Sequence, residues 1–258
     1  MQPSPKNRMS STNAIILCGG AGLRLRPVTG DGPKSMAQVS GRPFLETLLL
    51  QLERYGFERT ILAVGYRSGD IQSYFGNRFC GMDIAYSNEL SPLGTGGAVR
   101  NAAGLVESAA CLVMNGDSYT DVDLRAFVAA HQNESSADVS LVVVPVDERG
   151  DTGSILLDAD RNVVQFAEKE RPLLAHHLNA GIYMLSREML YGIPAGQPVS
   201  LERELFPQWI QEGRRIKAFV HAGKCVDIGT PERFQAAQET LAKVEVAAKP
   251  AGNEDYRA

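Results

Sequence analysis

The 258-residue sequence contains only four cysteines, Cys18, Cys80, Cys111 and Cys225, and no two form a CxxC pair. That scarcity argues against a disulfide framework or a zinc site and predicts reduced thiols in a cytoplasmic protein. Long apolar runs are also missing. No stretch approaches the ~20 residues a membrane span needs. The opening segment MQPSPKNRMSST has no apolar centre, so it reads as a loose tail rather than a signal peptide. There is no basic excess either: 26 Lys and Arg face 30 Asp and Glu, a formal net charge of -4. Nothing there supplies the broad positive field that attracts nucleic acid. Internal repeats and low-complexity linkers are absent.

What is present suits a folded α/β chain. Hydrophobic residues make up 44% of the sequence, enough for a sizeable core. Apolar runs at 14–17, 60–64, 82–86, 111–114 and 139–144 predict strands. Helical spacing at 42–56, 69–75, from 94 and at 124–131 alternates with them, which implies a parallel sheet covered on both faces. After residue 147 the pattern becomes mixed. Short strands are predicted at 154–157, 163–166, 181–185, 216–219 and 225–228, with helices at 201–212 and 231–244. The expected organisation is a tail over 1–12, one domain over 13–245 and a tail over 246–258.

Residues 17–36 read LCGGAGLRLRPVTGDGPKSM. Glycines just after a strand free backbone N–H groups to cradle phosphate oxygens. Arg24, Arg26 and Lys34 add a planar fork or a compact charge to the same excursion. A turn with solvated basic residues would look similar. A dinucleotide loop fits poorly, because the glycines run G-G-A-G and two prolines stand where a helix should begin. No GK[ST] follows, so a Walker loop is excluded. Asp117 ends the strand-like CLVMNGD, at the end of a parallel strand where such sheets bind ligands. Asp227 follows a second short strand, and either aspartate could instead cap a turn or helix.

In order along the chain, this loop, LGTGGAV at 93–99, NGD at 115–117, EK at 168–169, NAGIY at 179–183 and VDIGTPE at 226–232 resemble the sugar-1-phosphate nucleotidyltransferases. The likeness runs from Ala14 to about Leu241. One departure is Leu23, where the family's GGxGTRLxPxT has threonine. The resemblance implies a single Rossmann-like, GT-A-like α/β domain with a mixed, mostly parallel sheet flanked by helices. It implies attack by a sugar-1-phosphate oxygen on the α-phosphorus of a nucleoside triphosphate, with loss of pyrophosphate. Arg24 would bind the triphosphate, Lys34 the α-phosphate, and Lys169 the phosphate of the incoming sugar. Gly19, Gly20, Gly22, Gly94, Thr95, Gly96 and Gly97 would line the nucleotide, with the glycines of GTGG allowing close approach. Glu168 and Asn179 would hydrogen-bond sugar hydroxyls, while Gly116 and Gly181 would leave space for the ring. Asp117 and Asp227 would hold Mg2+. Homo-oligomers are common among such proteins, but no interface is legible in the sequence.

DGPKSMAQVSGRPFLETLL, NGDSYTDVDL and SLERELFP narrow the resemblance to the D-glycero-alpha-D-manno-heptose 1-phosphate guanylyltransferases. GTP and that heptose 1-phosphate are therefore the leading substrates. Mannose 1-phosphate with GTP comes next, then glucose 1-phosphate with dTTP, UTP or CTP. Guanine needs an acceptor for its N1–H and exocyclic amine, and no residue stands out for this. Two other classes stay open. Asp121 and Asp123 form a DxD, as in many nucleotide-sugar-dependent glycosyltransferases, although Asp123 suits a helix N-cap before Leu124. A sensing subunit that binds nucleotide sugar without turnover would be expected to lose Arg24, Lys34 or an aspartate, all of which are present.

Overall fold

Ala14 and Ile16 point into one apolar layer while Ile15 points into another. Leu112 and Met114 alternate in the same way with Cys111 and Val113. This period of two marks strands buried on both faces, the condition of a sheet covered by helices on each side. The computed structural model describes residues 9, 11–134, 137–146, 154–167, 177–223 and 225–248.

The chain opens with β1 (Asn13–Leu17), a short helix α1 (Arg26–Thr29) and a 3-10 turn (Lys34–Met36). A ribbon of β2 (Gln38–Val39) and β3 (Arg42–Pro43) leads to α2 (Phe44–Arg54). Then come β4 (Arg59–Val64), α3 (Ser68–Phe75), β5 (Arg78–Phe79), β6 (Met82–Asn88), α4 (Gly94–Ala102) and β7 (Ala110–Asn115). β8 (Ser118–Thr120), α5 (Leu124–Asn133) and β9 (Val139–Pro145) complete the first part. The second part holds β10 (Ser154–Leu157), β11 (Val163–Ala167), β12 (His177–Ser186) and α6 (Arg187–Gly192). A π-helical turn (Leu201–Leu205) continues into α7 (Phe206–Gln211), followed by β13 (Ile216–Val220), β14 (Cys225–Asp227) and α8 (Pro231–Ala248).

Ten strands join one sheet in the order β11-β10-β12-β7-β1-β4-β6-β5, with β9 on β12 and β13 on β9. The neighbours β7, β1, β4 and β6 run parallel, whereas β12 runs antiparallel to both β7 and β9. The sheet is mixed and mostly parallel near β1, as expected. Three details differ from the sequence pattern. The helix expected from residue 42 starts at Phe44, because Pro43 is extended (φ -55°, ψ 138°) and pairs with Gln38 instead. The helix expected at 201–212 opens with a π turn. A separate two-stranded sheet, β14 with β8, is the third, and it sets Asp227 opposite Ser118.

Candidate active site

The chain leaves β1 for β4 on one side and reaches β7 on the other, so the strand order reverses at β1. At such a reversal the loops beyond the carboxyl ends part and open a crevice. Leu17 lies opposite Asn115 in the β1–β7 register. The glycine-rich loop and the NGD segment therefore emerge side by side. They wall a cleft of about 320 Å³ with Gly19, Gly20, Lys34, Gly94, Thr95, Gly116 and Asp117 in its lining.

Lys34 donates from Nζ to Asp117 Oδ2 at 2.5 Å. Burial works to raise the Asp117 pKa, but the charge and hydrogen bond of Lys34 overcome it and hold the carboxyl below its ordinary range. Ile228 N–H binds the Asp117 carbonyl at 3.0 Å, which ties β14 to the end of β7. Asp227 is gripped by Arg233 Nη1, at 3.2 Å from Oδ1 and 3.1 Å from Oδ2. A Cβ placed on Gly229 would sit 2.9 Å from Asp227 Oδ1 and 3.7 Å from Lys34 Nζ. Lys34 and both aspartates thus converge on one point. Arg24 is exposed on the loop and does not line this cleft. Farther along the loop, Asp31 accepts from the Tyr66 hydroxyl at 2.7 Å and from Arg67, which anchors it to the turn after β4.

The glycines divide into two kinds. Gly20 faces open space, and a Cβ on Gly19 would meet only the Glu89 carboxylate, at 2.7 Å. Gly22 has a left-handed backbone (φ 59°), and a Cβ there would lie 2.7 Å from Lys34 Cβ. It is needed so that the loop can fold onto the lysine. The expected reason for GTGG is corrected for all three of its glycines: a Cβ on Gly94 (φ 68°) would lie 2.6 Å from the Val199 carbonyl. Cβ atoms on Gly96 and Gly97 would strike Leu205 at 2.7 Å and the Gln197 carbonyl at 2.8 Å, and both N–H groups bind the Val199 carbonyl. Their missing side chains serve packing, and their amides are spent.

The same correction applies to the room expected for a sugar ring. A Cβ on Gly116 would clash with the Leu17 carbonyl, and one on Gly181 (φ 72°) would lie 2.8 Å from Asn115 Nδ2. Asn179 turns inward. It donates to the Tyr183 hydroxyl at 2.7 Å and accepts from Gly181 N–H at 3.0 Å, bracing an irregularity in the β12–β9 register. Glu168 and Lys169 lie outside the described residues.

Two residues, one in the cleft and one behind Asp227, escape the sequence pattern. Glu89, just past β6, lines the cleft and accepts from Leu93 N–H at 3.0 Å. Burial raises its pKa, opposed by that hydrogen bond. Arg233 is the other. A cation in the first turn of a helix is disfavoured by the helix dipole, so its place in α8 was a signal that an acid stands nearby.

The DVD segment is structural. Asp123 Oδ1 caps α5 through Arg125 N–H at 2.9 Å and Ala126 N–H at 3.0 Å, while Asp121 pairs with Arg54 at 2.6 Å. Asp123→Ala should cost about 1 kcal/mol of stability, the usual value of an N-cap, and leave turnover intact. Thermal melts and a rate assay check this. Loss of activity without loss of stability would return the pair to the chemistry.

Among the described residues, no helix is long and apolar enough to cross a membrane. Residues 13–244 match the family model described as nucleotidyl transferase. Mannose-1-phosphate guanylyltransferase of Mycobacterium tuberculosis is 36% identical over 90% of this chain, which spans 65% of that protein's length. D-glycero-alpha-D-manno-heptose 1-phosphate guanylyltransferase of Aneurinibacillus thermoaerophilus is 33% identical over 88% of this chain and 97% of its own length. The crystal structure of HddC from Yersinia pseudotuberculosis complexed with GMP-PN superposes with a TM-score of 0.76 at 33% identity, covering 89% of this chain and 99% of that one. With the crevice at β1 and a family match spanning nearly the whole sheet, the chain belongs to the nucleotidyl transferase family.

Proposed function

We propose that the chain transfers a guanylyl group from GTP to a sugar 1-phosphate, releasing pyrophosphate. The observation that carries this reading is the convergence of Lys34, Asp117 and Asp227 beside a glycine-rich loop. Phosphoryl-type transfer asks a protein mainly to position two anions and to stabilise developing charge. Lys34 supplies a compact cation at the α-phosphate, and the loop amides supply dipoles. Arg24, exposed and two residues beyond Gly22, can swing onto the outer phosphates. Lys169 would hold the acceptor phosphate, and Glu168 a sugar hydroxyl.

The two aspartates fit a magnesium ion. Both are hard oxygen donors, and β14 sets Asp227 opposite Ser118, the residue after Asp117, so that an incoming ion would share these carboxylates with Lys34 and Arg233. Among the described residues no group of three acidic, His or Cys side chains could complete a shell. The remaining ligands would then be phosphate oxygens and water. When bound, the ion would add positive charge across the triphosphate.

Glu89 supports guanine as the base. An ionised carboxylate can accept both N1–H and the exocyclic amine, and this one faces the cleft beside Gly19. Glu89→Gln should lower kcat/KM for GTP by about tenfold or more relative to ATP, since a charged hydrogen bond is lost. In the unmutated protein the GTP KM should rise as pH falls through the raised Glu89 pKa, at a higher pH than for an ordinary glutamate. The Gln variant should show no such rise. A carboxyl with a raised folded pKa favours the folded state at low pH and loses that contribution as pH rises through it. At neutral pH Glu89→Gln should therefore not destabilise. A base preference unmoved by the change would take Glu89 out of base reading.

D-glycero-alpha-D-manno-heptose 1-phosphate is the proposed acceptor, supported by the relatives of matching length. Mannose 1-phosphate is the second reading, favoured by the Mycobacterium tuberculosis relative. Initial rates with GTP and each sugar phosphate, heptose, mannose and glucose, decide between them. The heptose should give the highest kcat/KM, and a higher value for mannose reverses the assignment.

A further inference from the structure

Glu202 is only 9% exposed, yet it does not line the cleft. Its carboxylate is held by hydroxyls: Oε2 accepts from Thr95 at 2.6 Å and Ser200 at 3.0 Å, and Oε1 from Tyr183 at 3.0 Å. Each contact continues outward. Thr95 Oγ1 accepts from Leu201 N–H at 2.8 Å, at the start of the π turn that carries Glu202. The Tyr183 hydroxyl accepts from Asn179, whose other end holds Gly181 N–H. Burial, and then the Glu202 charge, push the Tyr183 pKa up and keep it a donor.

Thr95 lies in the cleft wall on α4, and Asn179 and Gly181 lie at the bulge of β12. An acid enclosed this deeply is costly unless fully hydrogen-bonded, and apolar side chains of similar volume would fill the space without that cost. What the carboxylate adds is a rigid link between α4 in the cleft wall and the irregular stretch of β12, two distant parts of the chain. Single π turns within helices are frequent at functional sites.

We propose that Glu202 is a positioning residue that couples the nucleotide wall of the cleft, through Thr95, to the acceptor wall, through Tyr183 and Asn179. This rests on the proposed function and on the family resemblance, which sets Thr95 beside the nucleotide and the Asn179–Gly181 stretch beside the sugar, with Asn179 shaping that backbone rather than meeting the sugar itself. A change at either end of the link then disturbs the substrate at the other end.

The test is a KM and kcat comparison on the full chain with GTP, heptose 1-phosphate or mannose 1-phosphate, and Mg2+. Thr95→Val should raise the KM for sugar phosphate as well as for GTP, and Tyr183→Phe the KM for GTP as well as for sugar phosphate. Each remote effect should be about tenfold, the scale of one hydrogen bond to a charged group, with kcat changed less. The double variant should be no worse than the more severe single one, because both act through the same carboxylate. Glu202→Gln should reproduce both KM effects, and if it fails to fold the two hydroxyl variants still decide. Effects confined to each residue's own substrate, effects that multiply in the double variant, or a lowered melting temperature with unchanged KM values would each overturn the coupling. An unmutated protein that releases no pyrophosphate would instead discredit the assigned activity. Calorimetric affinities for GTP and sugar phosphate in the same variants would then test the link alone.

Discussion

Asp117→Asn and Asp227→Asn are each expected to lower Mg2+-dependent turnover by about a thousandfold, the scale of several kcal/mol of lost transition-state charge stabilisation. Both variants should stay folded, but not equally stable. Asp227 is 12% exposed and its partner Arg233 20%, whereas Asp117 is 38% exposed beside Lys34 at 14%. Asp227 is the better-buried carboxylate and both of its oxygens face Arg233, so replacing it breaks the less solvated pair and Asp227→Asn should melt at the lower temperature. The acid limb should change as well. A carboxylate with a lowered folded pKa stabilises the fold above its unfolded pKa and loses that contribution as pH falls through the lowered value. Asp117→Asn should therefore flatten the stability profile in that acidic window. Rates at limiting Mg2+ and melts across pH check both parts. Full activity at limiting Mg2+ in either variant would remove that aspartate from the metal site.

Lys34→Ala should lower kcat by about a hundredfold or more while changing GTP affinity only a few-fold, because a charge aimed at the reacting phosphorus matters most as the transition state forms. Lys34→Arg should not restore the rate. Gly22 leaves room for the root of this side chain, since a Cβ there would lie 2.7 Å from Lys34 Cβ. The compact ammonium also contacts Asp117 at 2.5 Å, a position that a broad planar guanidinium does not reproduce. Steady-state rates paired with titration calorimetry separate the two parameters. Normal turnover in Lys34→Ala would exclude Lys34 from the chemistry.

The strands beside the cleft were legible because each carries a local signal. Apolar runs ending in glycine mark β1 and β7, and Asp123 directly before a helical run marks its own cap. Lys34 and Asp117 are 83 residues apart, and Thr95 and Glu202 are 107 apart. No local pattern encodes such pairs, and only the reversal of strand order at β1 brings the first of them together. Glycine misled in a consistent way. At positions 96, 97, 116 and 181 the sequence shows that a side chain is missing, and ligand space was expected there. The space belongs instead to Leu205, the carbonyls of Gln197 and Leu17, and Asn115. Glu89 went unnoticed because an acid after a strand resembles any surface acid until burial and the Leu93 amide are seen.

In the proposed reaction Lys34, Asp117 and Asp227 serve a single α-phosphorus. The most direct measurement incubates the unmutated protein with Mg2+, a sugar 1-phosphate and GTP labelled at the α-phosphorus, and follows where the label goes. The label should pass into the nucleotide sugar, with one pyrophosphate released for each molecule formed. Label recovered only in GTP, with every sugar phosphate of the panel and with GTP bound, would contradict the proposed reaction.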